Sequence, residues 1–164
     1  MEARLGKVWS QTPDHAIGEW NNTLLTTWRD TVTVEALEIT RVASHDLFAR
    51  NPGGLLVFNI IPHAVPIPPT EVRKKASDVL GETGGHVLAT VTVIEGEGFW
   101  TSAARAAVAT ITLFSRTPHP HRVFPTIEDG ARWGEDKLAE GGTAELLVAV
   151  AQQLRTRVER SAGV

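Results

Sequence analysis

Residues 86–115, HVLATVTVIEGEGFWTSAARAAVATITLFS, decide the fold. In HVLATVTVI apolar side chains recur with the two-residue period of a strand, and EGEGF is an acidic glycine turn. The run TSAARAAVATITLFS, almost wholly apolar, reads as a helix from Ser102 to Ser115. Strand, tight turn, helix is the unit with which α/β domains place a site at the carboxyl end of a strand.

Working outward, the apolar period switches repeatedly between two and about 3.6. On the N-terminal side, short strands are expected around Lys7–Ser10 and Thr23–Trp28, with Asn21-Asn22 as turn chemistry. Thr33 caps a helix carrying Ala36, Ile39, Ala43 and Leu47, which Asn51-Pro52-Gly53-Gly54 ends. Leu55–Ile61 is apolar except for Asn59, as in a central strand covered on both faces. Four prolines between Pro62 and Pro69 predict an extended surface loop; Thr70 then caps a helix with Val72, Ala76, Val79 and Leu80 on one face and Gly81 as its stop. On the C-terminal side, Thr117-Pro118-His119-Pro120 leads to a short strand, Arg122–Phe124, which Pro125 confines to an edge or an end. Thr126 with Asp129 resembles a capping box for a helix bearing Ile127, Ala131, Gly134 and Leu138. A last helix starts near Thr143 and buries Leu147, Val150, Ala151, Leu154 and Val158.

With 164 residues, 42% of them hydrophobic and 21% charged, the chain suits one compact domain over 1–164. Nineteen acids oppose sixteen bases without long blocks, so a nucleic-acid partner has no electrostatic footprint. The absence of cysteine excludes disulfides, thiolate metal sites and a cysteine nucleophile, and fits a reducing compartment. Neither an apolar leader in MEARLGKVWSQ nor 18 consecutive apolar residues is present, so the expectation is a cytoplasmic protein without membrane insertion.

The order β-β-α-β-α-β-α-β-α resembles that of the STAS domain, the fold of sulfate-transporter tails and SpoIIAA-like anti-sigma-factor antagonists. The local matches are HVLATVTVIEGEGFWTSAARAAVATITLF and the closing HRVFPTIEDGARWG, and the resemblance spans roughly Leu24 to Leu138. It implies an α/β fold: a single-layer mixed β-sheet of about five strands with helices mainly on one face, plus an added C-terminal helix over 143–160. It also implies a non-enzymatic regulatory module in bacterial-type signalling, acting through the strand-turn-helix surface 94–115. Family members carry a phosphorylatable Ser, usually preceded by Asp, at the strand-to-helix turn. Here that dipeptide is missing: the turn is Glu95-Gly96-Glu97-Gly98, and Thr101 and Ser102 are the only hydroxyls at the helix start, each a phospho-acceptor candidate or an N-cap.

The helix from Ser102 is apolar around most of its circumference, so it requires cover on a second side. That cover is a protein partner, a second copy of the chain, or the terminal helix of the same chain. Glu95, Glu97, Phe99, Trp100, Thr101, Ser102 and Arg105 are the expected partner-binding residues. Trp100 is the exposed anchor, and Phe99 is a staple folded against the first turn. A small apolar ligand held between sheet and helix, with Pro62–Pro69 as lid and Phe58, Trp100 and Phe114 as walls, is the alternative function. Enzymatic readings rest on less. Glu95 and Glu97 form an acid-base pair without identifiable partners, and read better as turn residues facing water. His119 and His121 flank Pro120 with imidazoles on one side, and His63 would supply a third nitrogen if its strand end is adjacent, yet no carboxylate completes a metal spacing; solvated loop residues are the expectation. No catalytic residue, metal or cofactor is assigned.

Overall fold

The structure, a computed structural model, describes residues 2–63 and 65–163. One mixed sheet contains β1 (Val8–Gln11), β2 (His15–Trp20), β3 (Thr23–Trp28), β4 (Leu55–Ile61), β5 (Val87–Ile94) and β6 (His121–Phe124), with spatial order equal to chain order. β1 to β3 pair antiparallel, and β3 to β6 pair parallel. The strand over residues 15–20 is the element the sequence reading missed. Asn21, with φ of 56°, makes the two-residue turn into β3, and its Oδ1 accepts from the Asn22 N–H at 2.8 Å.

Three crossover helices, α1 (Val34–Arg50), α2 (Thr70–Thr83) and α3 (Phe99–Ser115), join the parallel strands and lie on one face, as right-handed crossovers require. α4 (Ile127–Gly134) and α5 (Ala144–Ser161) cover the other. The alternation of β4 divides the core: Leu56, Phe58 and Ile60 point to α4 and α5, while Leu55, Val57, Asn59 and Ile61 point to the crossover helices. On α5 the expected stripe Leu147, Val150, Ala151, Leu154 and Val158 is buried against Leu25, Phe58 and Val91. Each of its larger side chains contributes about 1.5–3 kcal/mol by burial. Gly130 on α4 stands where a Cβ would lie 2.7 Å from Val91 Cγ1, so it sets how closely this helix meets the sheet.

Caps fall where the hydroxyls predict them at three helices. Thr33, Thr126 and Thr143 accept from the backbone N–H groups of Ala36, Asp129 and Leu146. Three boundaries differ from expectation. α2 is capped by Pro69 instead of Thr70, and it runs through Gly81 to Thr83, since Gly84-Gly85 supply the stop in a short 3-10 turn. At Gly81 a Cβ would lie 3.4 Å from the Ser115 carbonyl, an ordinary van der Waals contact, so the position sits at the approach of α2 to the end of α3 without requiring glycine. α3 begins three residues early, at Phe99, because Gly98 (φ 87°, ψ −157°) makes the entry bend and its carbonyl accepts from the Ser102 N–H at 3.2 Å. Thr101 and Ser102 are therefore first-turn residues and not caps.

Candidate functional site

The outward face of α3 is the most exposed apolar surface of the fold. Phe99, Leu113 and Phe114 are 91%, 74% and 71% exposed. Phe99, Ala106 and Leu113 recur every seven residues and so lie along one line of the helix, with Ala103 and Thr110 beside them. The inward face, Ala104 and Ala107, packs over the sheet side. The terminal helix does not supply the second cover, because α5 lies on the opposite face of the sheet.

The two aromatic residues at the turn exchange the roles expected of them. Phe99, the expected staple, projects into solvent. Trp100, the expected anchor, is tucked in: its indole N–H donates to the Val65 carbonyl at 2.7 Å, and its ring meets His63 edge-on at 5.0 Å. Residue order alone cannot separate the two rings, whereas the acceptor in the proline loop suits only the indole. Gly96 (φ 98°) carries the turn past His63, whose Nδ1 would be 2.1 Å from a Cβ at that position. Of the remaining predicted contact residues, Glu97, Ser102 and Arg105 are exposed, and Thr101 is buried with no partner for its hydroxyl among the described residues. Of the two phospho-acceptor candidates, only Ser102 reaches solvent. Glu95 turns away from α3 and pairs with Arg155 of α5. That pair shares a cleft of about 340 Å³ with Arg29, His63 and Glu159 at the carboxyl ends of β3 to β5. Glu95 and Glu97 thus do not converge as an acid-base pair.

Behind α3, between α1, α2 and the sheet, lies a cavity of about 140 Å³. A second, of about 90 Å³, adjoins it beneath the loop Val65–Pro68, and Val32, Ile61, Ala76, Val108 and Ile111 wall both. Trp100 lines the second chamber, as expected; Phe58 faces the opposite core and Phe114 faces solvent, so neither is a wall.

One side of the larger cavity is polar. Thr26 Oγ1 donates to Asn59 Oδ1 at 2.9 Å. His121 is bound at both ring nitrogens, Nε2 to Thr92 Oγ1 and Nδ1 to Thr112 Oγ1, each at 2.8 Å. His119 Nε2 lies 2.8 Å from Thr90 Oγ1. The two histidines are not solvated loop residues: β6 starts at His121, so both imidazoles turn in over β5. Burial, reinforced by the neighbouring His119, pushes the His121 pKa down to about 4 and leaves the ring neutral at pH 7. His63 sits at the far end of the sheet against Trp100, and no cluster of three metal-ligating side chains forms among the described residues. The threonine row that pins these histidines was readable only as β-propensity, because its partners lie across strands. No helix of the described residues is long and apolar enough to cross a membrane. No family model, curated protein or solved structure matches the chain.

Proposed function

We propose that this chain is a STAS-like regulatory interaction module whose contact surface is the outward face of α3. The observation that carries the reading is the exposure of Phe99, Leu113 and Phe114 on a helix whose other side is packed. Exposed side chains of this size, aligned on one face, mark protein-protein contact surfaces. The order of elements from β2 to α4, β-β-α-β-α-β-α-β-α, supports the STAS-like reading.

The sequence of sizes along the face favours a second copy of the chain as partner. Large side chains stand at both ends of α3 and alanines in the middle. Two antiparallel copies related by a twofold axis near Ala106 would set Phe99 of one against Leu113 and Phe114 of the other, with alanines allowing close approach at the centre. Arg105, at the side of the stripe, then stays at the wet rim, and Ser102 lies where an added phosphate would oppose pairing. Sedimentation of the full chain tests this: association that Phe99→Ser and Phe114→Ser both weaken supports the surface, and association indifferent to both removes it.

A further inference from the structure

We infer that the paired cavities behind α3 form a binding site for a small, uncharged, largely apolar molecule carrying one hydrogen-bond acceptor, such as a ketone of about six to nine heavy atoms, recognised by the Asn59 amide. This site is separate from the exposed face of α3 and does not depend on it.

The chemistry of the walls sets the class. Among the described residues, no Asp, Glu, Lys or Arg lines either chamber. A charged ligand would therefore be desolvated without a partner, which disfavours it against a neutral one. The apolar part of the walls is Val, Ile, Leu, Ala, two loop prolines and two tryptophans, Trp28 and Trp100. The size sets the length, since a dry apolar cavity of roughly 150 Å³ accommodates one benzene. The adjoining chambers, about 140 and about 90 Å³, take a somewhat longer chain.

The polar groups set the head. Thr40, Ser44 and Thr83 each donate to a carbonyl of their own helix, to Ala36, Thr40 and Val79, so their protons are engaged. Thr92 is engaged with His121. Asn59 differs: its Oδ1 accepts from Thr26, and its Nδ2 makes no hydrogen bond to a described residue while the side chain lines the cavity. A free amide donor among hydroxyls whose protons are already engaged is the group that would meet an acceptor on a ligand. The loop Val65–Pro68, held to α3 by the Trp100 to Val65 hydrogen bond, closes the outer chamber.

The test titrates the full chain with 2-heptanone, with hexanoate and with hexylammonium, following the fluorescence of Trp28 and Trp100 and the methyl NMR signals of Val57, Val79 and Val108. Saturable binding of the ketone, at least tenfold tighter than that of either ion, is expected, with shifts at those methyls and none at Val91 in the opposite core. Asn59→Leu should weaken ketone binding about five- to tenfold, and Ala76→Leu, which fills the wall shared by the chambers, should abolish it. No saturable shift, shifts at Val91 instead, or equal binding of the ions would overturn the assignment. Should either variant fail to fold, the methyl map of the unaltered chain decides alone. Oligomeric state is not the readout, so failure here is distinguishable from failure of the α3 surface.

Discussion

Protonation of His121 places a charge on the polar wall of the cavity and turns both ring nitrogens into donors. Thr92 and Thr112 hold both of its nitrogens, and burial lowers its pKa from 6.5 to about 4. In the unfolded chain the same ring titrates near its ordinary value, so between pH 6.5 and pH 4 the unfolded state binds more protons and stability falls as the solution is acidified. The linkage relation gives a loss of about 2 kcal/mol between pH 7 and pH 5, levelling off near 3 kcal/mol below pH 4. His15 and His119, whose pKa values burial also lowers, add acid sensitivity of the same sign, so the informative quantity is a difference between variants. His121→Gln removes this titration and retains hydrogen-bonding ends for the two threonines. In urea unfolding at pH 7 and pH 5, the unaltered chain should lose about 2 kcal/mol more than the variant. Equal losses would refute the claim that His121 is held neutral by its surroundings.

Other substitutions separate the packed parts from the exposed ones. Leu154→Ala on α5, fully buried against the sheet, should cost about 2–5 kcal/mol in denaturant unfolding. Thr143→Ala removes the acceptor for the Leu146 N–H at 3.3 Å and should cost about 1 kcal/mol by the same assay. Phe114→Ser, at a site 71% exposed, should leave stability within about 0.5 kcal/mol while weakening association. Trp100→Phe forfeits the bond to the Val65 carbonyl and should cost about 1 kcal/mol, whereas Phe99→Leu should cost close to nothing.

Most of the architecture was legible because it rests on period. Leu55–Ile61 and Val87–Ile94 are strands over the residues expected, and the apolar stripe of α5 is the one read from spacing. The short edge strand before Pro125 lies at the sheet margin, as a proline there requires. β2 escaped notice because HAIGEW carries His, Gly and Glu. Its Glu19 is buried yet satisfied, since Trp9 Nε1 and the Arg50 guanidinium both donate to Oε2 at 2.9 Å, a pairing that local sequence cannot reveal. The site was legible only in part. The apolar excess of α3 was plain from composition, but which flank is bare depends on α5 crossing to the far face. Likewise the exchange between Phe99 and Trp100 depends on a carbonyl in a distant loop. Asn59 stood out as the polar exception in β4, while its role follows from a cavity that only assembled helices create.

The central claim is that the bare flank of α3 is an interface between copies of this chain. Native mass spectrometry of the full 17.8 kDa chain beside a Phe99→Ser, Leu113→Ser, Phe114→Ser triple variant tests it most directly. The account predicts a dimer for the unaltered chain and a folded monomer for the variant. A unaltered chain that stays monomeric at every concentration, or a triple variant that remains dimeric, would contradict it.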